Sequence, residues 1–189
     1  CLTPKCAIER RGGTPPGASG GGRRGPRGGR RRESEYATQL REKQKLKRMY
    51  GVLERQFRRH FGAATRAPGM TGENLLRMLE TRLDNVVFRT GLATSRKQAR
   101  QLVNHGHIQV NGKKLGIPSA SVKVGDMISV KPRSTDLDIV KNALERAEAM
   151  SSPEWLSIDS ESKTAKVIAL PGRDQQEIVV DEQLIVEFY

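Results

Sequence analysis

The sequence predicts an α+β protein, in which a helical domain with a basic N-terminal arm precedes two helices, a hairpin and a small, mostly antiparallel sheet. Two observations support this fold class. Between residues 35 and 104, apolar side chains recur at spacings of three and four, as on one face of a helix. After residue 106, short alternating segments are separated by Gly, Asn and Asp, as in strands joined by turns.

The N-terminal arm is predicted to be extended rather than folded. Residues 12–32 are rich in Gly, Pro and Arg and offer almost no apolar side chain to a core. We expect this segment to stay extended until it meets a polyanion, whose charges its arginines can pair with.

Three helices are predicted next, over residues 35–49, 54–64 and 71–80. The first has basic side chains around most of its circumference and only a thin apolar stripe. The second combines arginines with an apolar face at Phe57 and Phe61, and the third directs Leu75, Leu76 and Leu79 toward a core. We interpret these apolar residues as packing positions rather than as binding positions.

A short fourth helix is predicted directly after the third. Leu83, Val86 and Val87 form its apolar stripe, because they are three and four residues apart. Arg82 and Arg89 are seven residues apart and are expected on a shared face at its edge.

A fifth helix is predicted to begin at Ser95, which would act as its N-cap, with Gln98 completing a capping box. Leu102 points inward in this helix. Arg96 and Arg100 are four residues apart and are expected on the outer face, where they would reach phosphates without supporting the core.

A hairpin follows. Residues 107–110 alternate like a half-buried strand, and Asn111-Gly112 is the strongest short hairpin signal that a sequence carries. Lys113 and Lys114 begin the return strand.

The rest of the chain predicts further strands and one helix. The strands are expected over residues 122–124, 127–131, 167–170, 177–180 and 185–189, and the helix over residues 137–150. Trp155 is expected to anchor a loop in the core.

The charges are distributed in blocks. The chain has 34 Lys and Arg against 21 Asp and Glu, a formal net charge of +13. Residues 1–60 hold 17 basic and 5 acidic residues, residues 82–133 hold 10 and 2, and residues 134–189 hold 5 and 12. Two basic blocks favour a polyanionic partner, whereas the acidic block favours a protein neighbour or a solvated face.

Four Phe, one Trp and three Tyr are too few for a base-stacking platform, so a folded RNA bound through phosphates and shape is preferred.

One stretch carries a family resemblance. The pattern R-L-D-N-V-V-F-R from Arg82, followed by S-R-x-x-A-R-Q-L-V-x-H-G-H-I-x-V-N-G from Ser95, resembles the RNA-binding module of the S-four family of bacterial small-subunit ribosomal proteins. The flanking segments also resemble this family from about residue 35 onward. These are Leu40-Arg41-Glu42-Lys43-Gln44-Lys45, Tyr50-Gly51, Glu54-Arg55-Gln56-Phe57-Arg58, Thr71-Gly72, Pro153-x-Trp155-Leu156 and Val186-Glu187-Phe188-Tyr189.

The resemblance implies a structural constituent of the small ribosomal subunit with no catalytic residues. It implies binding to the 5′ domain of small-subunit rRNA, an early role in subunit assembly, and a position near the path by which mRNA enters, with an influence on translational accuracy. The neighbours that it implies are proteins S-five and S-twelve.

The candidate RNA-binding residues are polar or basic side chains of the arm, the helices and the hairpin. They are Arg23, Arg24, Arg27, Arg30, Arg31, Arg32, Arg41, Lys43, Lys45, Lys47, Arg48, Arg55, Arg58, Arg59, Arg82, Arg89, Ser95, Arg96, Lys97, Gln98, Arg100, Gln101, His105, His107, Asn111, Lys113 and Lys114.

The expected domain boundaries follow from these segments. Residues 1–32 form the basic extension. Residues 33–80 form the helical rRNA-binding domain, joined by the C-terminal segment 176–189. Residues 81–175 form the domain that contains the S-four-type module, whose core is residues 82–133.

The two cysteines leave a metal site open. Many bacterial members of the family carry two cysteine pairs near the N-terminus, and Cys1-x4-Cys6 is similar to the second pair. Two thiolates cannot complete a tetrahedral zinc site. Structural zinc is therefore expected only if another pair precedes Cys1, and otherwise both residues are thiols without a metal. A disulfide is the least favoured state in a reducing cytoplasm.

Two other function classes are less well supported. The same module occurs beside catalytic domains in RNA-modification enzymes, but the rest of this chain contains no credible nucleotide or cofactor loop. Non-specific DNA compaction would fit the charge but not the hairpin module. With no apolar run near the roughly 18 residues of a membrane span, we expect a cytoplasmic location in the small ribosomal subunit, with a plastid ribosome less favoured.

Overall fold

A computed structural model of the chain describes residues 34–135, 137–147, 153–159, 162–172 and 180–189. The helices are α1 (Glu35–Met49), α2 (Glu54–Arg66), α3 (Thr71–Glu80), α4 (Leu83–Arg89), α5 (Arg96–Asn104), a 3₁₀-helix (Pro132–Ser134), α6 (Asp138–Ala147) and α7 (Glu182–Phe188). The strands are β1 (Ile108–Val110), β2 (Lys113–Lys114), β3 (Met127–Val130), β4 (Leu156–Asp159) and β5 (Thr164–Val167). The α+β class is confirmed.

Helices α1, α2, α3 and α7 surround one apolar core, which we call the helical core. Its buried members are Leu46, Tyr50, Val52, Phe57, Ala64, Leu75, Leu76, Leu79 and Ile185. The first three predicted helices are confirmed, because α1 and α3 have the predicted bounds and α2 extends two residues further. The phenylalanine and leucines that the sequence directed inward are the ones that fill this core.

A second core lies between α4, α5, α6 and one face of the sheet, and we call it the module core. Its largest members include Trp155, Leu83, Ile108 and Ile128, all fully or almost fully buried. Trp155 is 1% exposed, as expected of an anchor.

The sheet is antiparallel throughout its described strands, with the order β2-β1-β3-β5-β4. The β1–β2 hairpin pairs Val110 with Lys113, and its turn has positive φ at both Asn111 (51°) and Gly112 (75°). A two-residue turn with this geometry matches the right-handed twist of the strands. The side chain of Asn111 also accepts from the Met127 backbone N–H at 2.9 Å, which ties the turn to β3.

Helix α4 is only seven residues long, and a loop stabilises its N-terminus. The backbone N–H groups of Leu83 and Asp84 donate to the carbonyls of Ala120 and Pro118 at 2.8 and 3.0 Å. Those donors have no partner within the helix itself. The loop after β2 is therefore part of the scaffold that holds α4.

The N-terminus of α5 agrees with the prediction in part. The Ser95 hydroxyl accepts from the Gln98 backbone N–H at 3.3 Å, so Ser95 is the N-cap. The side-chain oxygen of Gln98 (Oε1), however, accepts from the backbone N–H and the hydroxyl of Thr94, at 2.6 and 2.7 Å, rather than from the backbone N–H of Ser95. The reciprocal bond is displaced by one residue because Thr94 offers two donors.

The predicted strand over residues 185–189 is wrong. That segment is helix α7, capped by Asp181, whose carboxylate accepts from the backbone N–H groups of Gln183 and Leu184. The Ile, Val and Phe residues there favoured a strand by composition. The cap and the burial of Ile185 against α1 and α3 favour a helix, and tertiary packing overrides weak local preferences.

The other strand predictions were partly correct. Residues 127–131 are confirmed as β3, apart from the last residue. Residues 122–124 form a loop, in which Val122 donates to the Thr81 carbonyl, and β5 lies earlier than the predicted 167–170, over Thr164–Val167. Strand β4 was not predicted. Residues 177–179 and 148–150 lie outside the described residues, and Val180 is not in a strand.

We predict that Ile185→Ala destabilises the helical core by about 2–5 kcal/mol, because it removes a side chain that is 1% exposed and leaves a cavity. Ile139→Ala is the matched control, since Ile139 is 46% exposed, and its effect should stay within about 0.5 kcal/mol. Urea unfolding followed by circular dichroism measures both. Equal midpoints for the two variants would contradict the docking of α7.

Candidate RNA-binding surface

Most of the predicted RNA-binding residues within the described chain are exposed. The exposed ones are Arg41, Lys45, Arg48, Arg55, Arg58, Arg59, Lys97, Arg100, Gln101, His105, Asn111, Lys113 and Lys114. Ser95, Gln98, Lys47 and His107 are half-buried. The six candidate arginines between residues 23 and 32 lie outside the described residues.

Helix α1 presents one basic face to solvent. Arg41, Lys45 and Arg48 are four and three residues apart, so they share a side of the helix. Leu46 is fully buried on the other side. Long cationic side chains on a fixed helical face suit the spaced phosphates of a folded RNA.

Helices α2 and α5 each carry exposed arginines. Arg55 and Arg59 are exposed one turn apart on α2. On α5 the exposed Arg100 places Nη1 3.7 Å from Asp84 Oδ2. Asp84 belongs to α4, and it also acts electrostatically on His60 of α2. We treat the exposed arginines of α2 and α5 as two parts of the candidate surface.

His60 of α2 is half-buried and lies near the charged side chains of Arg59, Arg82 and Asp84. Burial lowers the pKa of its imidazole, and the charges of Arg82 and Arg59 lower it further, against a smaller opposite effect of Asp84. A lowered pKa keeps His60 neutral at neutral pH.

The hairpin adds a second set of exposed donors. His105 follows α5, and Asn111, Lys113 and Lys114 lie at the turn and on β2. The side chain of Lys114 lies directly over Gly106: a Cβ on that glycine would be 2.1 Å from Lys114 Cε. Gly106 also has φ of 74°, a left-handed backbone conformation that favours glycine, whereas the flexible end of the lysine can move aside.

Lys43 does not belong to this surface. It is 4% exposed, its Nζ lies 2.9 Å from Glu54 Oε1, and it sits 4.2 Å from the ring centroid of Phe188. Its position on the buried side of α1 gives it a structural role. Its burial and its pairing with Glu54 do not favour an RNA contact, and its RNA-binding role stays a prediction.

Arg82 and Arg89 are also internal rather than edge residues. Arg82 donates to both carboxylate oxygens of Asp84, at 3.1 and 2.7 Å, and its side chain is 4% exposed. The Arg89 side chain is 5% exposed and donates to both oxygens of Glu80. Each guanidinium already donates two hydrogen bonds to one carboxylate, which is the geometry in which it would bind a phosphate. We therefore remove both residues from the candidate surface.

Arg96 was expected on the outer face of α5, and this expectation is wrong. Its Nε donates to Asn85 Oδ1 at 2.7 Å, and its guanidinium lies 4.6 Å from the ring centroid of Phe88 and 5.1 Å from that of Tyr50. Helical spacing placed Arg96 beside Arg100. However, the Asn85 acceptor and the Phe88 and Tyr50 rings lie beside the start of α5, and Arg96 contacts them.

The group to which Arg89 and Arg96 belong was missed by the sequence analysis. Glu80 is 1% exposed and accepts from Tyr50 Oη, Asn85 Nδ2 and Arg89, and we call these residues with Arg96 the Glu80 hub. Burial by itself raises the pKa of Glu80, but the bonds and charge of Arg89, the Tyr50 hydroxyl and the charge of Arg96 lower it below the usual range. The signal was available: Glu80 follows Leu79 and lies four residues after Leu76, on an apolar face.

No group of three or more metal-ligating side chains occurs among the residues that the structure describes. Cys1 and Cys6 lie outside that set, so the zinc expectation remains a prediction. In the same part of the chain, no helix has the length and apolar character required to cross a bilayer.

Comparison with known proteins identifies two family matches and many relatives. Residues 1–80 match the family described as "Ribosomal protein S4/S9 N-terminal domain", and residues 81–128 match "S4 domain". The chain is 53% identical over 189 residues to "Small ribosomal subunit protein uS4" of Pelotomaculum thermopropionicum and to that of Desulforamulus reducens, covering 100% of this chain and 87% of each relative. The uS4 of Herpetosiphon aurantiacus is 54% identical over 184 residues, covering 96% of this chain and 85% of the relative.

The electrostatics of Lys43 give a prediction about Glu54. Burial raises the pKa of Glu54, but hydrogen bonds from Lys43, Tyr189 and Lys47 lower it from 4.5 to about 2. The ionised carboxylate therefore contributes stability above about pH 4.5, and this contribution is lost as the pH falls toward 2. We expect Lys43→Met to move the titration midpoint of Glu54 upward, as measured by carboxyl ¹³C NMR.

Lys45→Met is the matched control for that titration, because Lys45 is exposed and its Nζ lies 3.4 Å from Glu42 rather than near Glu54. It should leave the Glu54 midpoint in place. An unshifted midpoint in the Lys43 variant would contradict the assigned pairing.

Proposed function

Because the chain belongs to the uS4 family of small ribosomal subunit proteins, whose members are structural and not enzymes, we propose that it binds folded small-subunit rRNA directly through the exposed basic faces of α1, α2, α5 and the β1–β2 hairpin. The observation that carries this proposal is the division of the cations. Those of the four faces are exposed, while Lys43, Arg82 and Arg89 are sequestered with acidic partners inside the fold.

The finer role is proposed from the family resemblance. The protein would bind the 5′ domain of the rRNA, act early in subunit assembly, and lie near the path by which mRNA enters, with an influence on accuracy. Neither this chemistry nor its location requires a cofactor, and zinc would be added only if further ligands complete the Cys1 and Cys6 pair. The proposed location is the small subunit of a bacterial cytoplasmic ribosome.

The C-terminal part of the chain suits a protein neighbour better than RNA. Residues 134–189 hold 12 acidic and 5 basic residues, and Asp181 and Glu187 are exposed at either end of α7. Carboxylates repel phosphate, so this face is proposed to contact a neighbouring ribosomal protein, with S-five and then S-twelve as the candidates. The proposed domain division keeps this segment with the helical domain, and Ile185 in the helical core supports that division.

We predict that Arg55→Gln with Arg59→Gln weakens binding to small-subunit rRNA and reduces the salt dependence of the affinity. Each phosphate contact contributes about 0.7–0.9 to the slope of log K against log salt, so the slope should shrink by roughly two at most. Because both side chains are exposed, the free energy of unfolding should change by no more than about 0.5 kcal/mol per residue. Filter binding at several salt concentrations provides the measurement.

Lys141→Gln with Lys166→Gln is the matched control, because it removes two exposed positive charges elsewhere on the molecule. Its slope should match that of the unmodified protein. If both double variants shift the slope equally, net charge rather than a defined surface would explain the binding. If neither does, the proposed surface is wrong.

A second measurement tests the assignment to the ribosome itself. The protein should co-sediment with small ribosomal subunits in a magnesium-containing gradient, because a structural constituent stays bound through the run. An accessory factor would remain at the top of the gradient or dissociate as salt is raised.

A further inference from the structure

The seam between the two cores is polar. Among the described residues, the helical core and the module core form separate apolar clusters that share no member. Glu80 lies where the chain passes from one to the other, at the end of α3. The two family matches also meet there, between residues 80 and 81. Apolar contact is non-directional, whereas hydrogen bonds fix distances and angles. This polar seam is therefore suited to set the orientation of the helical core relative to the module core.

The Glu80 hub connects four helices across that seam. Tyr50 follows α1, Glu80 ends α3, Asn85 and Arg89 belong to α4, and Arg96 begins α5. Asn85 Nδ2 donates to Glu80 Oε2 at 2.7 Å, and Arg89 donates at 3.1 and 2.9 Å. A buried carboxylate held by donors from several elements allows little relative motion, because any rotation would leave part of the charge unpaired.

Arg96 joins the module to the helical unit within this hub. Its Nε donates to the side-chain amide oxygen of Asn85, and the NH₂ group of the same amide donates to Glu80. Its guanidinium also covers the ring of Tyr50, which belongs to the helical core. A planar, stacked guanidinium makes both contacts at once, and a lysine cannot reproduce them.

We propose that Arg96 is a positioning residue, which holds the helical unit and the module at one angle so that basic side chains on both sides of the seam meet a folded RNA together. The inference rests on the proposed function. Arg55 and Arg59 lie on the helical side, and Lys97 and Arg100 lie on the module side. Because a folded RNA presents its phosphates at fixed separations, two surfaces at variable angles would pay an ordering cost on binding.

The test compares three variants by rRNA affinity and salt slope. Arg96→Gln should weaken binding about tenfold, the typical effect of one lost charged hydrogen bond, with the salt slope unchanged. Arg96→Lys keeps the charge and should weaken binding to the same extent. Arg100→Gln, on the same helix, should instead reduce the slope by about one. If Arg96→Lys binds like the unmodified protein, or if Arg96→Gln reduces the slope, Arg96 is a phosphate contact and the proposal is wrong.

The second arm needs no RNA. Residual dipolar couplings of the full chain without RNA should fit a single alignment tensor, shared by the helical unit (α1–α3) and the module (α4, α5 and the sheet). In Arg96→Gln each unit should fit its own tensor, while couplings within each unit remain native. Arg96→Lys, which keeps the charge but not the stacked planar geometry, is the milder variant if the first one unfolds, and it should show the same separation of tensors. A single tensor in folded Arg96→Gln, or in folded Arg96→Lys if the first variant unfolds, would overturn the proposal, whereas absence of rRNA binding by the unmodified protein would overturn only the proposed function.

Discussion

The buried carboxylate of Glu80 is the constraint on which the arrangement of the molecule depends. An ionised carboxylate away from water must be paired and fully hydrogen-bonded. Here the donors come from the end of α1 and from α4, and Arg96 of α5 completes the group through Asn85. Satisfying one charge therefore brings together elements that belong to two separate cores. Replacing such a group by apolar side chains often leaves stability unchanged, which favours orientation over stability as the role of this group.

The cations of this chain perform two different tasks, and burial distinguishes them. Lys43, Arg82 and Arg89 each pair with a buried or half-buried acid within the fold. The exposed cations of α1, α2, α5 and the hairpin are the ones that we propose to bind RNA. A net charge of +13 describes neither task by itself. Position relative to the two cores decides which task a given cation has.

The sequence predicted local features well and long-range ones poorly. The helical bounds, the Ser95 cap and the Asn111-Gly112 turn depend on neighbouring residues, so periodicity and turn chemistry were sufficient. Helix α7 was mistaken for a strand because its stability comes from packing on α1 and α3, far away in the chain. The same reason applies to the candidate surface. Whether a basic side chain on a helix faces solvent or an acid from another element is decided by tertiary contacts, which helical spacing does not encode.

The docking of α7 has a consequence for the order in which the protein is made. The Tyr189 hydroxyl donates to Glu54 at 2.8 Å, across 135 residues of chain, and Ile185 completes the helical core. A chain that emerges from its N-terminus first presents α1–α3 long before their last partner exists. The described elements of the module, by contrast, are all synthesised before α7. The module can therefore close its core before α7 emerges, whereas the helical core lacks Ile185 until α7 has been made.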